Sequence, residues 1–277
     1  MTAAADAPPQ SGAAAPIGVF DSGIGGLTVV RELIRQLPHE SIIYFGDTAR
    51  VPYGPKSPDT VLRYSREVVS FLEKQGIKAL VVACNTATAH ALPALREEFA
   101  LPIVGVIEPG ARAAAAATRT GRIGVIGTAG TVKSGAYETE IRRIRPDAVV
   151  ISRPCPLFVP LVEEGWLDDE ATQLIARQYL GPIADAHTDT LVLGCTHYPL
   201  LKPVIGKVVG RDVRLIDSAE ETARQTAELL KARRLENDRK NEARYRFIAS
   251  DAPEQFLNIG QRFLGSTIDR VETITLG

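Results

Sequence analysis

The 277-residue sequence has almost no net charge, few cysteines and no long apolar run. A formal net charge of −1 at pH 7 gives no reason to expect binding to nucleic acid, which usually requires a clustered basic excess. No apolar segment approaches the length needed to span a bilayer, so we expect no membrane partner. Three cysteines, an odd number, favour reduced thiols over a disulfide framework.

The first sixteen residues also lack the features of an export signal. Residues 1–16 are rich in alanine, proline and serine, but they have neither a basic start nor a continuous apolar core. This composition predicts a disordered tail rather than a secretory signal. Together with the reduced cysteines, it indicates a cytoplasmic protein.

Two similar segments of the chain each end in a cysteine. Residues 79–83 and 190–194 are short, largely apolar runs, and they are followed directly by Cys84 and Cys195. A run of this length is typical of a strand buried on both faces of a parallel sheet. Open α/β sheets place their ligands at the carboxyl ends of such strands. The sequence therefore predicts two thiols that face one another across a cleft.

The order of segments around these cysteines is repeated along the chain. Residues 17–22 resemble residues 123–128, and the two cysteine runs follow them at similar distances, which indicates a duplicated unit. Strands that alternate with helices predict parallel sheets with right-handed crossovers. We predict a first α/β domain over 17–109 plus 217–277 and a second over 110–216, with the site in the cleft between them.

Four residues are candidates for proton transfer. Cys84 and Cys195 precede helical patterns, and a helix start favours a thiolate. Activity at pH 7 would require a lowered thiol pKa, and the helix starts could supply part of that lowering. His197 could polarise or reprotonate Cys195. Asp21, at the end of the first strand, could take up a proton from the ammonium group of an amino acid, or it could simply cap the glycine-rich turn.

Other residues are candidates for substrate binding. Asn85, Thr86 and Thr196 present small polar groups at helix starts, which suits a carboxylate, although ordinary capping explains each of them individually. Tyr53 and Gly54 lie in a polar loop that could close over a ligand or form a surface turn.

Two other functions remain open on the residues alone. One is a two-lobed amino-acid-binding protein whose cysteines do no chemistry. The other is a zinc hydrolase that uses Cys84, Cys195 and His197 as ligands. The glycine-rich turn after the first strand satisfies neither nucleotide motif, GxGxxG or GxxxxGK[ST], and no lysine is marked as a pyridoxal site. We therefore predict neither a cofactor nor a metal.

Five motifs carry a resemblance to a known family: Gly18–Gly23, Gly46–Thr48, Pro52–Pro55, Cys84–Ala87 and Gly194–Pro199. On these motifs the chain resembles the cofactor-independent aspartate/glutamate racemase family, from about Ile17 through Leu230. The resemblance implies two flavodoxin-like, doubly wound domains related by pseudo-two-fold symmetry. It also implies interconversion of L- and D-glutamate, which supplies D-glutamate for peptidoglycan, and commonly a homodimer. Some members bind DNA gyrase, for which the near-neutral charge here offers no support.

The resemblance also implies roles for individual residues. In the family, the cysteine matching Cys84 takes the α-proton from D-glutamate, and the one matching Cys195 takes it from L-glutamate. Asp21, His197 and Glu163 match assisting residues, although from the sequence alone Glu163 belongs to an acidic helix end that is usually just solvated. The residues that match substrate contacts are Asp21, Ser22, Tyr53, Gly54, Asn85, Thr86, Thr131, Thr196 and His197.

Overall fold

The computed structural model describes residues 12–237 and 243–276. The strands in these two ranges are β1 (Ile17–Asp21), β2 (Ile42–Gly46), β3 (Ala79–Val82), β4 (Ile103–Gly105), β5 (Arg122–Gly127), β6 (Val149–Pro154), β7 (Thr190–Gly194), β8 (Arg214–Asp217), β9 (Tyr245–Ala249) and β10 (Glu272–Thr273). The α-helices are α1 (Leu27–Gln36), α2 (Pro58–Lys74), α3 (Asn85–Glu98), α4 (Ile107–Ala117), α5 (Ala129–Lys133), α6 (Ala136–Ile144), α7 (Phe158–Glu164), α8 (Glu170–Asp185), α9 (Lys202–Val209), α10 (Ser218–Arg233) and α11 (Pro253–Leu264). Short 3-10 helices span Gly12–Ala14, Thr48–Arg50, Tyr198–Leu201 and Gly265–Thr267.

The strands form two parallel sheets. The first has the order β10-β9-β2-β1-β3-β4, and the second has the order β6-β5-β7-β8. In register, Ile17 of β1 lies between Ile42 and Ala79, and Ile123 of β5 lies between Val150 and Thr190. Both sheets thus share the flavodoxin-like order in which the first strand of the unit lies between the second and the third. The predicted α/β class with two doubly wound parallel sheets is confirmed.

The local sequence explains why these elements form. Every residue of β1, β3 and β7 is buried, as expected for strands covered by helices on both faces. Helix α1 buries Leu27, Val30 and Leu33 on one face. Helix α2 begins as predicted, because the Ser57 side chain accepts a hydrogen bond from the backbone N–H of Thr60 and a proline occupies the first turn.

The carboxyl-terminal segment returns to the first sheet. Strand β9 pairs with β2, and β10 pairs with β9. Helix α10 packs against α1, which lies in the predicted first domain, and against α4, which spans a predicted domain boundary. The boundary placed after residue 109 falls inside α4, and the division into domains stays a prediction.

The amino-terminal segment differs from the predicted disordered tail. Residues 1–11 lie outside the described residues, but Gly12–Ala14 form a 3-10 helix and Ala15 is buried. The Ala13 carbonyl accepts a hydrogen bond from the buried Lys78 ammonium at 2.6 Å. The prediction of disorder was therefore wrong for residues 12–16, because Lys78, the residue before β3, holds their backbone through hydrogen bonds to the carbonyls of Ala13 and Pro16.

None of the helices within the described ranges is long and apolar enough to cross a membrane.

Candidate active site

Cys84 lies at the carboxyl end of β3 and caps the start of α3. Its sulfur accepts a hydrogen bond from the backbone N–H of Ala87 at 3.4 Å, and it lies 3.5 Å from the Ser22 hydroxyl. Strand β3 lies beside β1, on the side opposite to β2. Cys84 therefore lies at the switch point of the sheet, where the strand order reverses. In folds of this order, this switch point is where ligands bind.

Cys195 occupies the equivalent position in the second sheet, directly after β7, the neighbour of β5. Its sulfur lies 4.0 Å from Nδ1 of His197, and Nε2 of the same ring lies 2.9 Å from the Glu163 carboxylate. Cys195, His197 and Glu163 therefore form a linear chain of polar contacts. Cys195 and His197 are buried, whereas the Glu163 side chain is half-buried at the end of α7.

This contact chain makes His197 a cation at neutral pH. Burial alone would lower the pKa of His197, but hydrogen bonds with Cys195 and Glu163 outweigh burial and raise the pKa to about 10. The arrangement therefore holds a positive charge next to the Cys195 sulfur. The solvated helix end favoured by the sequence alone was wrong for Glu163, because this carboxylate pairs with the imidazole.

The electrostatics of Cys84 contradict the sequence-based expectation. We expected the start of α3 to lower the thiol pKa, and the Ala87 N–H and Ser22 do act in that direction. Burial is the larger effect, and with the charge of Asp21 it raises the pKa of Cys84 to about 12. A negative charge on Cys195 also raises it, so the two thiols are near enough to influence one another. As placed here, Cys84 is a protonated thiol.

Asp21 ends β1, beside Cys84. One carboxylate oxygen, Oδ2, accepts a hydrogen bond from the Gly23 N–H at 2.9 Å, so the capping function considered from the sequence is present. The other oxygen, Oδ1, is buried and has no partner among the described residues. Burial raises the pKa of Asp21, while the His197 cation lowers it. The carboxylate thus has one free acceptor, and an ammonium group would satisfy it.

Asn85 is buried at the first position of α3, next to Cys84. Its side-chain oxygen accepts a 2.7 Å hydrogen bond from Tyr137, while its amide nitrogen is buried with no partner in the described part of the chain. A buried donor without an acceptor typically costs about 1–3 kcal/mol. A bound carboxylate would supply the missing acceptor.

Three threonine hydroxyls meet where the two sheets approach each other. Thr86 Oγ1 lies 2.9 Å from Thr128 Oγ1 and 3.3 Å from Thr131 Oγ1. Thr128 also caps α5, since its hydroxyl accepts from the Thr131 N–H at 3.2 Å. Thr128 was not singled out from the sequence, although it is the counterpart of Ser22 in the repeat and could have been found that way.

The loop that contains Tyr53 and Gly54 connects the two halves of the chain through its backbone. The Gly54 carbonyl accepts a 2.9 Å hydrogen bond from the Gly130 N–H, which bridges the two halves of the chain. Tyr53 is not part of a surface turn: its side chain is buried and its hydroxyl donates to Asp47. Asp47 also accepts hydrogen bonds from Arg50 and Ser250, and so it holds the loop in place.

Thr196 is fixed against the glycine-rich turn of the first half. Its carbonyl accepts a 3.0 Å hydrogen bond from the hydroxyl of the fully buried Thr28. A Cβ on Gly25 would lie 2.3 Å from the Thr196 hydroxyl and 2.4 Å from His197 Nδ1. The glycine-rich turn after β1 therefore packs against the second thiol segment, and only a glycine fits at position 25.

The zinc alternative finds no geometric support. Among residues 12–237 and 243–276, no group of three or more histidine, cysteine or acidic side chains is placed to hold a metal ion. Cys84, Cys195 and His197 accordingly do not form such a group. Cys155, the remaining cysteine, is buried in the second half of the molecule, where burial raises its pKa to about 12.

The fold and the site together define a two-lobed α/β protein with one thiol at the switch point of each sheet. A model of the Asp/Glu/hydantoin racemase family matches residues 17–226. The chain belongs to this family, and it is thus an isomerase of the amino-acid racemase type. The family predicted from the sequence motifs is confirmed.

Relatives with curated names extend the similarity over nearly the whole chain. A glutamate racemase of Geobacter metallireducens is 58% identical over 260 residues, which cover 94% of this chain and 96% of the relative. A glutamate racemase of Neisseria meningitidis is 52% identical over 263 residues, with 95% and 97% covered.

Solved structures agree with the fold. A glutamate racemase isoform from Bacillus anthracis matches with a TM-score of 0.90 and 44% identity, covering 95% of this chain and 97% of that one. A glutamate racemase from Francisella tularensis, crystallised with D-glutamate, matches with a TM-score of 0.90 and 40% identity, covering 95% and 98%.

Proposed function

We propose that this chain interconverts L- and D-glutamate by direct proton transfer between Cα and two thiols, without a cofactor. The observation that carries the proposal is the equivalent placement of Cys84 and Cys195 at the two switch points, with Cys195 near enough for its charge to raise the pKa of Cys84. The glutamate specificity is supported by the names of the relatives and by the D-glutamate complex of the Francisella enzyme.

The two thiols differ in a way that suits a paired acid and base. Inversion at Cα requires a base on one face and an acid on the other. Cys84, whose pKa is raised to about 12, is the acid in the state described here. Cys195, whose sulfur lies 4.0 Å from Nδ1 of His197, is the base in this proposal. In this state Cys195 takes the α-proton of L-glutamate, and Cys84 donates its proton to the opposite face to give D-glutamate.

One turnover reverses the protonation states. Cys195 then carries the proton and Cys84 is the thiolate, so the site is ready to convert D-glutamate into the L form. Ser22 can donate a hydrogen bond to the Cys84 thiolate from 3.5 Å. In the other half, Glu163 keeps His197 charged and oriented, and so it assists Cys195 without contacting the substrate.

The remaining site residues bind the substrate in this proposal. The α-carboxylate is held by the Asn85 amide nitrogen and by the hydroxyls of Thr86 and Thr196, and these donors stabilise the negative charge that develops after loss of the α-proton. Removal of one such donor typically lowers the rate by about 10²–10³-fold. The free oxygen of Asp21 receives the ammonium group.

The loop residues and Thr131 complete the pocket. The hydrogen bond from Gly130 to Gly54 and the ordered side chain of Tyr53 keep the loop against the second half. Thr131 orients the Thr86 hydroxyl through the threonine cluster. We also propose that the enzyme acts in the cytoplasm as a homodimer and supplies D-glutamate for peptidoglycan, which the family resemblance supports.

An exchange experiment tests the proposal. Metal-free protein is incubated with L-glutamate in D₂O, and optical rotation and deuterium at Cα are followed together. We expect the optical rotation to decay without added metal or cofactor, and we expect deuterium to appear first in the D-glutamate product, since the donor thiol exchanges with solvent. A binding protein would show neither change, and a metal enzyme would lose its activity with a chelator; either result would reject the proposal.

A further inference from the structure

Tyr137, a residue of α6 that the sequence did not single out, connects the two thiol segments. Its side chain is buried in the second half of the molecule. A Cβ on Gly194 would lie 2.9 Å from one edge of the ring, and a Cβ on Gly110 would lie 3.3 Å from the other. Since Gly194 immediately precedes Cys195, the ring is held against the backbone of the second thiol segment.

The hydroxyl of Tyr137 reaches the first thiol segment. It donates a 2.7 Å hydrogen bond to Oδ1 of Asn85, the residue that follows Cys84. The ring and the hydroxyl together therefore join residues adjacent to both cysteines, across the two sheets. Ser218 lies beside the same hydroxyl, where its hydrogen bond partly offsets the rise in the Tyr137 pKa that burial causes.

The hydrogen bond from the Tyr137 hydroxyl favours one of the two orientations of the Asn85 amide. A side-chain amide has two orientations of nearly identical shape, which exchange the oxygen for the nitrogen. Tyr137 donates to the oxygen, so the buried nitrogen is the atom without a partner among the described residues. The opposite orientation would present the oxygen, which repels a carboxylate.

We propose that Tyr137 is a positioning residue that fixes the orientation of the Asn85 amide, so that its nitrogen donates to the substrate α-carboxylate. The inference rests on the proposed function, because it concerns the binding of that substrate. It assigns Tyr137 no contact with the reacting atoms. The hydroxyl acts only through Asn85, and this makes the proposal testable by a double-mutant cycle.

The test measures kcat and KM for both enantiomers in wild type, Tyr137→Phe, Asn85→Ala and the double variant. We expect Tyr137→Phe to lower kcat/KM by roughly 10- to 100-fold, through both a higher KM and a lower kcat, because the Asn85 amide binds the carboxylate and stabilises the charge that develops on it. In the Asn85→Ala background, the same substitution should lower kcat/KM by less than about 2-fold, because the amide that it orients is already absent.

Tyr198→Phe is the matched control. The Tyr198 hydroxyl is equally buried and donates a 2.7 Å hydrogen bond to the Cys155 carbonyl, with no bond to Asn85. Its effect should be the same in the wild-type and Asn85→Ala backgrounds. If Tyr137→Phe also lowers kcat/KM by the same factor in the wild-type and Asn85→Ala backgrounds, the hydroxyl has only a structural role and the positioning proposal is overturned.

A measurement on the wild-type protein avoids dependence on the folding of any variant. The side-chain amide of Asn85 should give one ¹⁵N-labelled resonance pair by NMR, and this pair should shift when glutamate is added. Two amide populations, or no shift with glutamate, would overturn the proposal. An inactive wild-type enzyme would instead reject the proposed function, so the two failures are distinguishable.

Discussion

The two halves of the molecule place their thiols alike and surround them differently. In each sheet a central strand, β1 or β5, is flanked by the strand that precedes the cysteine. Strand β1 ends in Asp21, however, whereas β5 ends in Gly127. The acid lies beside Cys84, and the His197 cation lies beside Cys195. The duplicated backbone places the two thiols symmetrically, whereas a few side chains give the two thiols different charged neighbours.

This difference has a chemical reason. A pair of thiols in identical surroundings would favour the same protonation state, whereas proton transfer across Cα requires one thiol and one thiolate. Burial and a negative neighbour keep Cys84 protonated, while in the other half the His197 cation lies beside the sulfur of Cys195. The asymmetry sets the starting state of the reaction, while the fold sets its geometry.

The largest effect should come from removing either thiol. We expect Cys84→Ala and Cys195→Ala each to lower racemisation by at least about 10²–10⁴-fold, the usual contribution of an acid–base group, because each cysteine serves one face of Cα. The polarimetric rate checks this in both directions. Cys155→Ala is the matched control, since Cys155 is also buried but lies outside the site, and it should retain activity. Substantial activity in either site variant would reject the two-thiol mechanism.

The positions of the thiols could be predicted because they depend on local sequence. Cys84 and Cys195 each end an apolar run, and the carboxyl end of a buried parallel strand is a functional edge in this fold class. The duplicated parallel α/β unit followed from the same runs and their repetition, whereas the flavodoxin-like strand order was implied only by the family resemblance. These inferences require only residues that are neighbours in the chain.

The surroundings of the thiols could not be predicted, because they depend on distant packing. Tyr137 contacts Asn85 from another helix, and no periodicity links the two positions. The direction of the Cys84 pKa shift required knowledge of its burial, which outweighs the helix start. Only the family resemblance indicated a role for Glu163. Its pairing with His197 depends on how α7 packs near the site, which the local sequence does not show.

A smaller effect on the rate should follow from removing the His197 cation of the second half, and it should change the isotope effect in one reaction direction. We expect His197→Asn to lower kcat/KM by roughly 10- to 100-fold, the value of a charge-assisted hydrogen bond. L- and D-glutamate have equal free energies, so kcat/KM must fall equally in both directions. The asymmetry should appear instead in the primary deuterium isotope effect, which should become larger from labelled L-glutamate, whose α-proton goes to Cys195.

The corresponding change in the first half provides the comparison. Ser22→Ala removes the hydroxyl that lies 3.5 Å from Cys84, and it should enlarge the isotope effect from labelled D-glutamate. If both variants changed the isotope effects in the same direction, the two halves would not serve opposite faces of the substrate.

The last effect concerns the pH dependence of stability in the second half. The folded-state pKa of His197 is raised from 6.5 to about 10, so its protonated form favours the folded state. This contribution is fully present below pH 6.5, and it is lost as the pH rises through the folded pKa near 10. Urea unfolding of wild type and His197→Asn at pH 6, 8 and 10 should therefore show a difference in unfolding free energy that narrows as the pH rises.

A second titrating group does not disturb this comparison. Cys84, whose pKa is raised from 9.0 to about 12, loses its own contribution to stability above pH 9 in both proteins, and that loss cancels in the difference. A difference that stays constant with pH would show that His197 is neutral in the folded protein, and the electrostatic contrast between the two halves would then disappear.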